Sequence, residues 1–454
     1  MFNYVLSAKS EESFLRVSES LLLEANRQHK NLDCSLKIEV YPRRRFLEIS
    51  KASDDLLGQF NISGRTSKRK RYKEQLSVLL SNLYVCWKAP LNPFLAIPMG
   101  KGKYSKGKRL NTFHLTYAGI KELVEALNES GFIEHHRGFF NGMSGRVTRI
   151  RGTQKLIYLF LKYKFSLDKV KIVPTKLPVV LKDGNKKTID ISRGVNRKKS
   201  KPIIDSTEQL NRFHSSGKWD LILPETVFIE NYLGETKNKH LLNPLHNNFY
   251  RIFNQSFDKG GRFYGPWPQN IPRGLRQYIH INGFPSVEAD FVAMHPTMLY
   301  IKEGKNFMND PYLIEGYGQK YRKVIKKLFN MSLNASNQAK AFAAFRQNIN
   351  MDYKFSKQFK ECTQSEWLYP AYEAMCRQHA PISRYFCTGI GLKLQYIDSQ
   401  IAENVLFQLM KLGIHAIPIH DSFMVAAPFV EELILAMKKA SYVILQCELN
   451  VDLK

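Results

Sequence analysis

Between Thr116 and Gly131, Ile120, Leu123, Val124 and Leu127 fall at the i, i+3, i+4, i+7 spacing of one buried helical face. Thr116 serves as its N-cap, and Asn128 to Gly131 reads as its end. The period then changes. FIEHHRGFF, the turn-forming NGMSG and RVTRIRGT read as a β-hairpin over 132–153. Farther on, YIHINGFPSVEAD alternates as a strand interrupted by an Asn-Gly turn, and MHPTMLY continues as a helix. HAIPIHDSFMVAA, residues 415–427, reads as strand, tight turn, strand. Leu394 to Met410 has helical periodicity, and APFVEELILAMKKASYVIL reads as a closing helix.

These patterns divide the chain into a basic N-terminal region (1–75), a helix-plus-hairpin region (76–165), a polar, basic, turn-rich connector (166–215) and a segment from 216 to 454 rich in aromatic and apolar residues. Helix followed by an arginine-bearing hairpin (Arg146, Arg149, Arg151) resembles a winged-helix DNA-binding domain, in which the hairpin lies along phosphates. A length of 454 residues suits two or three domains. The balance of 68 Lys and Arg against 40 Asp and Glu, a net +28, calls for a polyanionic partner. No apolar run reaches the roughly 18–20 residues of a membrane span, so nucleic acid is the expected polyanion. The basic runs Arg43-Arg44-Arg45 and SKRKRYK (67–73) fit either a solvated face or nucleic-acid contact. The first residues lack the pattern of a signal peptide. Six scattered cysteines without a CxxC pair fit free thiols in a reducing compartment, and the expected location is cytoplasmic.

Four elements carry candidate chemistry. In VEADFVAMHP (287–296), Asp290 would project from a strand end; in HAIPIHDSF, His420 and Asp421 would sit at a hairpin tip. Phosphoryl transfer to a growing strand uses two divalent cations about 3.5–4 Å apart. Two carboxylates on neighbouring rigid strands, with few other protein ligands, can clamp them. Asp290 and Asp421 meet that need if their strands pair, as catalytic and metal-binding residues for two Mg²⁺ ions, with Mn²⁺ as an alternative. Between them, Arg322, Lys326, Asn330 and Asn334 recur every fourth residue, which on a helix makes one stripe with about 40° of drift per step. Two cations followed by two amides suit the phosphates, base and sugar of a nucleoside triphosphate. In FDKGGRFYGPW (257–267), Gly260 and Gly261 form a turn that allows close backbone approach, and Arg262 can reach a phosphate. Phe263, Tyr264 and Trp267 offer stacking surface for bases. Arg273 and Arg276 suit template phosphates or a solvated helix end, and Gln395 with Asp398 suits the primer terminus or plain polar surface.

Taken in this order, the four elements resemble the palm and fingers of single-subunit polymerases, the group of the DNA polymerase I family and the bacteriophage-type and mitochondrial RNA polymerases. Asp258, Gly261 and Arg262 match the D-x-x-G-R motif of the phage-type enzymes, which holds template and primer strand. Asp290 falls at the motif A metal ligand, Arg322 and Lys326 match the R-x3-K of motif B, and His420-Asp421-Ser422-Phe423 matches the HDSF form of motif C. The resemblance covers roughly residues 245–454. It implies an α+β right hand, with an antiparallel palm sheet and helical fingers and thumb, the thumb drawn from residues 205–255. His420 would then support the primer 3′ end.

There are departures. Five residues after Asp290, DNA-making relatives carry a glutamate against the ribose 2′-hydroxyl and RNA-making ones a glycine; this chain has His295. Motif A also faintly resembles the DFxSLYP pattern of family B DNA polymerases. Where relatives place a tyrosine against the sugar, this chain has Asn334. Asp290 and Arg322 stand only 32 positions apart, so small fingers are expected. No acidic pattern suggests a proofreading exonuclease. The expectation is a DNA-directed DNA polymerase of a plasmid, phage or mobile element. A phage-type RNA polymerase or primase, and a catalytically inactive DNA-binding initiator, stand as alternatives.

Overall fold

A computed structural model describes residues 3–7, 35–38, 47–60, 66–88, 93–105, 115–141, 145–166, 178–228, 247–306, 309–351 and 353–454. The architecture is mixed α+β. The chain forms two compact units, each drawn from three segments: 1–177, 217–248 and 266–285 make the first, and 178–216, 249–265 and 286–454 the second. No helix among the described residues is long and apolar enough to cross a membrane.

In the first unit, helix Tyr117–Glu129 starts where its cap predicts: the Thr116 hydroxyl accepts from the Gly119 amide at 3.2 Å. Its buried face is Ile120, Leu123, Val124 and Leu127, packed with Leu76, Leu79, Leu80 and Leu83 of helix Thr66–Lys88. Strands run in the order Ser35–Lys37, Phe94–Ile97, Thr148–Gly152, Ile133–His136, so the two long arms of the expected hairpin pair antiparallel. SKRKRYK lies in the first turns of helix Thr66–Lys88, with Arg69, Lys70 and Arg71 exposed, Lys73 paired to Asp54, and Tyr72 buried. Arg43, Arg44 and Arg45 lie outside the described residues. A second sheet in this unit joins Asn3–Ser7, Trp219–Pro224 and Ile279–Ile281, all antiparallel. Asn282 and Gly283, both at positive φ (53° and 88°), make the expected hairpin turn into Phe284 and Pro285.

The second unit is labelled along the chain as β1 (Val179–Lys182), β2 (Thr188–Ile189), α1 (Gly194–His214), β3 (Tyr250–Asn254), β4 (Ser256–Tyr264), β5 (Phe284–Phe291, from Ser286 onward in this unit), α2 (Met294–Lys302), α3 (Gly318–Asn334), α4 (Gln338–Met351), α5 (Tyr353–Phe359), α6 (Ser365–Gln378), α7 (Gly391–Lys411), β6 (Ile417–Ile419), β7 (Ser422–Ala426), α8 (Val430–Leu445) and β8 (Val451–Leu453). One sheet has the order β6–β7–β5–β8, antiparallel throughout. The other has the order β4–β3–β1–β2. The long helix α7 lies along β4 and against α8.

Three sequence expectations change here. The stretch 166–215, read as a connector, contains β1, β2 and the 21-residue helix α1. The buried side of α1 is Ser200, Thr207, Leu210, Asn211 and His214, mostly polar, so no apolar stripe marked it. His214 is held by the Leu210 carbonyl (2.9 Å) and the Ala416 amide (3.3 Å), and burial pushes its imidazole down to about 4. Of the helical thumb expected from 205–255, the described residues form helix only in the end of α1 and in the four residues Glu225–Phe228; the others there are mainly strands, Trp219–Pro224 and β3. Gly260-Gly261 does not reverse the chain. Both lie inside β4 at φ 81° and 86°, and β3 shifts register opposite them, a bulge rather than a turn.

That bulge is pinned from below. Arg251 on β3 is fully buried; its Nε donates to the Gly261 carbonyl (2.7 Å), one terminal nitrogen to Glu403 (2.8 Å) and the other to Ser399 (3.2 Å). Glu403 also accepts from Ser206 at 2.6 Å, so β3, β4, α7 and α1 share one polar knot. A methyl group on Gly261 would sit 2.6 Å from the Phe253 ring and 2.8 Å from the Ser399 hydroxyl, on backbone that only glycine adopts freely. Gly261→Ala is therefore expected to cost about 2 kcal/mol or more, measured as a lower urea midpoint with unchanged slope. A wild-type midpoint would count against the bulge.

Candidate active site

The β5–β7 register sets Ala289 opposite Phe423 and Asp290 opposite Ser422. Asp421 is thus one step past the partner of Asp290, and the Phe291 amide donates to its carbonyl at 3.4 Å. The hairpin tip is His420-Asp421, His420 at φ 61° and both residues exposed. Two carboxylates 131 positions apart in sequence are in this way brought together, and the negative charge of Asp421 is felt at Asp290.

Glu288 and Asp290 share a face of β5 by strand alternation. β8 pairs on the other side of β5, with Asp452 opposite Asp290. Lys454, just beyond β8, donates its backbone amide to the Glu288 carbonyl (2.9 Å) and sets its ammonium 2.6 Å from Asp290 Oδ2 and 3.2 Å from Glu288 Oε1. Glu288 is buried and also accepts from the Ser422 hydroxyl at 2.6 Å. Asp290 Oδ1 is buried with no hydrogen-bond partner. Burial, and then the Asp421 charge, hold the Asp290 carboxyl above the usual carboxylate range, against the pull of Lys454 and Lys326.

No group of three or more His, Cys, Asp or Glu side chains among the described residues is placed to hold a metal ion. The fit to divalent ions rests on two carboxylates, one exposed and one carrying an orphaned buried oxygen, which is the sparse oxygen-donor set that Mg²⁺ accepts.

On α3, Val324, Ile325, Leu328 and Phe329 are buried, leaving the Arg322, Lys326, Asn330 and Asn334 stripe on the other side. Arg322 is paired with Asp310 and lies over the Tyr312 ring (5.6 Å). Lys326 lies 5.3 Å from the same ring centroid, is exposed, and acts electrostatically on Asp290. Burial, helped by the Asp421 and Asp310 charges, pushes the Tyr312 hydroxyl well up. Asn330 is half-buried. Asn334 donates to the Asn330 carbonyl at 2.8 Å, and its other amide atom faces Gly391 so closely that a Cβ there would lie 2.2 Å away. A side chain at this position would force the Asn334 amide to move.

Arg262 on β4 is not directed at open solvent. Its Nε lies 2.9 Å from Asp398 Oδ2 and 3.2 Å from Oδ1, with a terminal nitrogen on Oδ2 as well. Asp398, 3% exposed, also meets His295 Nε2 at 3.0 Å. The buried Asp398 thus couples the D-x-x-G-R arginine to the residue five positions after Asp290. Asp258 is exposed and held below the usual carboxylate range by its Ser256 hydrogen bond, with Lys259 and Lys393 adding to the effect. Gln395 is half-buried on α7. Phe263 is core, and Trp267, in the first unit, is also buried, so neither offers the expected stacking face. Tyr264 is half-buried beside Tyr250 (5.9 Å), with His420 edge-on to it at 6.5 Å.

The remaining candidates belong to the first unit. Arg273 is exposed and Arg276 half-buried on the short helix Arg273–Arg276. Arg151 is committed to Glu134 through two nitrogens (3.1 and 2.7 Å), and Arg149 is buried with its guanidinium on the Val147 carbonyl (3.0 Å). Arg146 lies over the exposed Phe139 ring at 5.4 Å. Sequence reading missed Arg251, Glu403, Glu288, Asp310 and Lys454. Only Glu288 carried a signal, as the residue two positions before Asp290 on the same strand face.

No protein-family model and no curated protein matches this sequence. Among solved structures, the chain is similar to the POL domain of Pol1 from M. smegmatis in complex with DNA primer-template and dNTP, at 10% identity and a TM-score of 0.28, over 95% of this chain and 68% of that one. A likeness this slight carries no functional inference, and the residues of the site are the basis for one.

Proposed function

We propose that this chain is a template-directed nucleic-acid polymerase in which Asp290 and Asp421 hold two Mg²⁺ ions, with Mn²⁺ able to replace them. The observation that supports this reading is the β5–β7 register, which sets Asp290 opposite Ser422 and so one residue from Asp421 across the pair, with Asp290 Oδ1 buried and unpartnered. Bound metal would supply activation of the 3′-hydroxyl and neutralisation of the leaving pyrophosphate. Lys326, exposed and electrostatically coupled to Asp290, is the cation for the triphosphate. Arg322 joins it after exchanging Asp310 for phosphate. Asn330 and Asn334 lie toward base and sugar. The sheet carrying the aspartates is the palm and α3 the fingers helix; Asp258, Gly261, Gln395 and His420 flank the primer-template. Arg262 acts indirectly, by fixing Asp398.

DNA synthesis is the favoured product, because the bulk of His295 stands where a ribose 2′-hydroxyl would pass. A second reading, RNA synthesis by a phage-type polymerase or primase, draws on the His295–Asp398 bond. With Nε2–H donated to Asp398, a neutral ring keeps Nδ1 as an acceptor for a 2′-hydroxyl. In the first unit, Arg146 of the hairpin, with Arg273 and Arg276, serves DNA attachment, consistent with a net charge of +28; Arg149 and Arg151 are engaged within the fold. No proofreading is expected.

The test is extension of a labelled primer on a DNA template with Mg²⁺, run separately with dNTPs and rNTPs. Extension with dNTPs is expected. Extension with rNTPs alone, or synthesis without primer, moves the assignment to the RNA polymerase or primase reading. Binding of DNA with no synthesis under any of these conditions leaves a non-catalytic initiator and overturns the proposal.

A further inference from the structure

Lys454 stands where a metal site would leave room for a cation. Its placement is fixed by backbone: the β5–β8 register and the Lys454 amide on the Glu288 carbonyl (2.9 Å) return the side chain to the face bearing Glu288 and Asp290. There the ammonium touches Asp290 Oδ2 at 2.6 Å, while Oδ1 has no partner. A half-buried carboxylate beside Asp421 needs a counter-charge, and Lys454 supplies one. A divalent ion on Oδ2 and an ammonium at that distance repel each other strongly in a partly buried site. The ammonium has somewhere else to go. Glu288, at 3.2 Å, can keep it while Asp290 is released, and the side chain is flexible and 26% exposed.

We propose that Lys454 is a positioning residue that occupies Asp290 Oδ2 in the metal-free protein and must swing onto Glu288 before a divalent ion binds, so that it sets the metal concentration the site requires. This rests on the two-carboxylate reading of the site. The apparent metal affinity is then the intrinsic one reduced by the fraction of molecules with Oδ2 free.

The test is Mn²⁺ titration of the full chain, without nucleotide or DNA, followed by the electron paramagnetic resonance signal of free Mn²⁺. Wild type, Lys454→Met, Lys454→Arg and Asp421→Asn are compared. Lys454→Met is expected to bind Mn²⁺ about tenfold tighter, as when Oδ2 is free in roughly a tenth of molecules, and Lys454→Arg no tighter than wild type. Should circular dichroism show Lys454→Met unfolded, Lys454→Gln carries the same expectation. Equal or weaker binding by the neutral variant, with wild type binding and Asp421→Asn weakened, overturns the role of Lys454 and leaves the metal site standing. Binding that is indifferent to Asp421→Asn removes the metal site and this inference with it.

Discussion

Replacing Asp421 with alanine is expected to abolish primer extension while leaving the protein at least as stable as the parent. The loss should be roughly a thousandfold or more, because one of two carboxylates that clamp the metal ions disappears and its partner cannot hold both. Stability should move the other way. Asp421 is exposed at a hairpin tip, so its truncation opens no cavity, and its negative charge is one of the two causes that raise the Asp290 pKa. A change within about 0.5 kcal/mol, in the favourable direction, is the expectation for such a surface site. The pH dependence follows by linkage. A carboxyl whose folded pKa is raised binds its proton more tightly folded than unfolded. Its contribution to stability is complete below the unfolded value near 3.8 and fades as pH rises through the raised folded value. Asp421→Ala should flatten that fall just above pH 3.8, while burial of Asp290 preserves part of it. Extension assays and thermal melts across roughly pH 3–7 test both halves. Persistent extension would remove Asp421 from the chemistry, and a large loss of stability would make the tip structural.

Arg251→Ala should produce the largest stability loss of any substitution considered. The guanidinium is fully buried, carries three hydrogen bonds and stacks near Phe263 (4.8 Å) and Phe253 (5.3 Å). Its removal takes the guanidinium donors from Glu403 Oε2 and the Gly261 carbonyl, leaves Glu403 only its Ser206 bond among the described residues, and opens a hole between the rings. Breaking a buried pair from one side typically costs about 3–5 kcal/mol, a large part of the stability of a domain. Arg251→Lys should recover little, since one ammonium cannot reach Gly261, Ser399 and Glu403 along the same fork. Urea unfolding measures the loss; Ser206→Ala, which removes only one bond to Glu403, sets the scale for a single contact. An Arg251→Ala cost near that of Ser206→Ala would show that the knot is replaceable packing.

What the sequence disclosed, and what it hid, divides along a physical line. Local signals read correctly: the Thr116 cap, the Asn282-Gly283 turn, the His420-Asp421 tip and the shared stripe of α3, opposite its buried face, all depend on neighbours within a few residues. The partners of the charged groups did not read. Nothing near Arg262 announces Asp398, 136 positions away, and nothing near Asp290 announces Lys454. Whether an arginine faces solvent or a buried carboxylate is decided by the assembled fold, which is why Arg149, Arg151 and Arg262 looked available and are engaged. Helix α1 escaped for the opposite reason. Its buried side is held by hydroxyls, an amide and an imidazole, so hydrophobic periodicity had nothing to register.

The alternation of segments between the two units bears on how the molecule comes into being. As the chain leaves the ribosome, the first unit cannot close until residues 266–285 have emerged; β1 waits for β3, and α1 waits longer still, for α7. Long-range closures of this kind come late and slowly. During synthesis the nascent protein therefore carries unpaired strand edges, which chaperones recognise. No continuous stretch can be cut out as either unit. A gene fragment spanning only the candidate motifs would leave behind β1, β2 and α1, including Ser206 and its bond to Glu403.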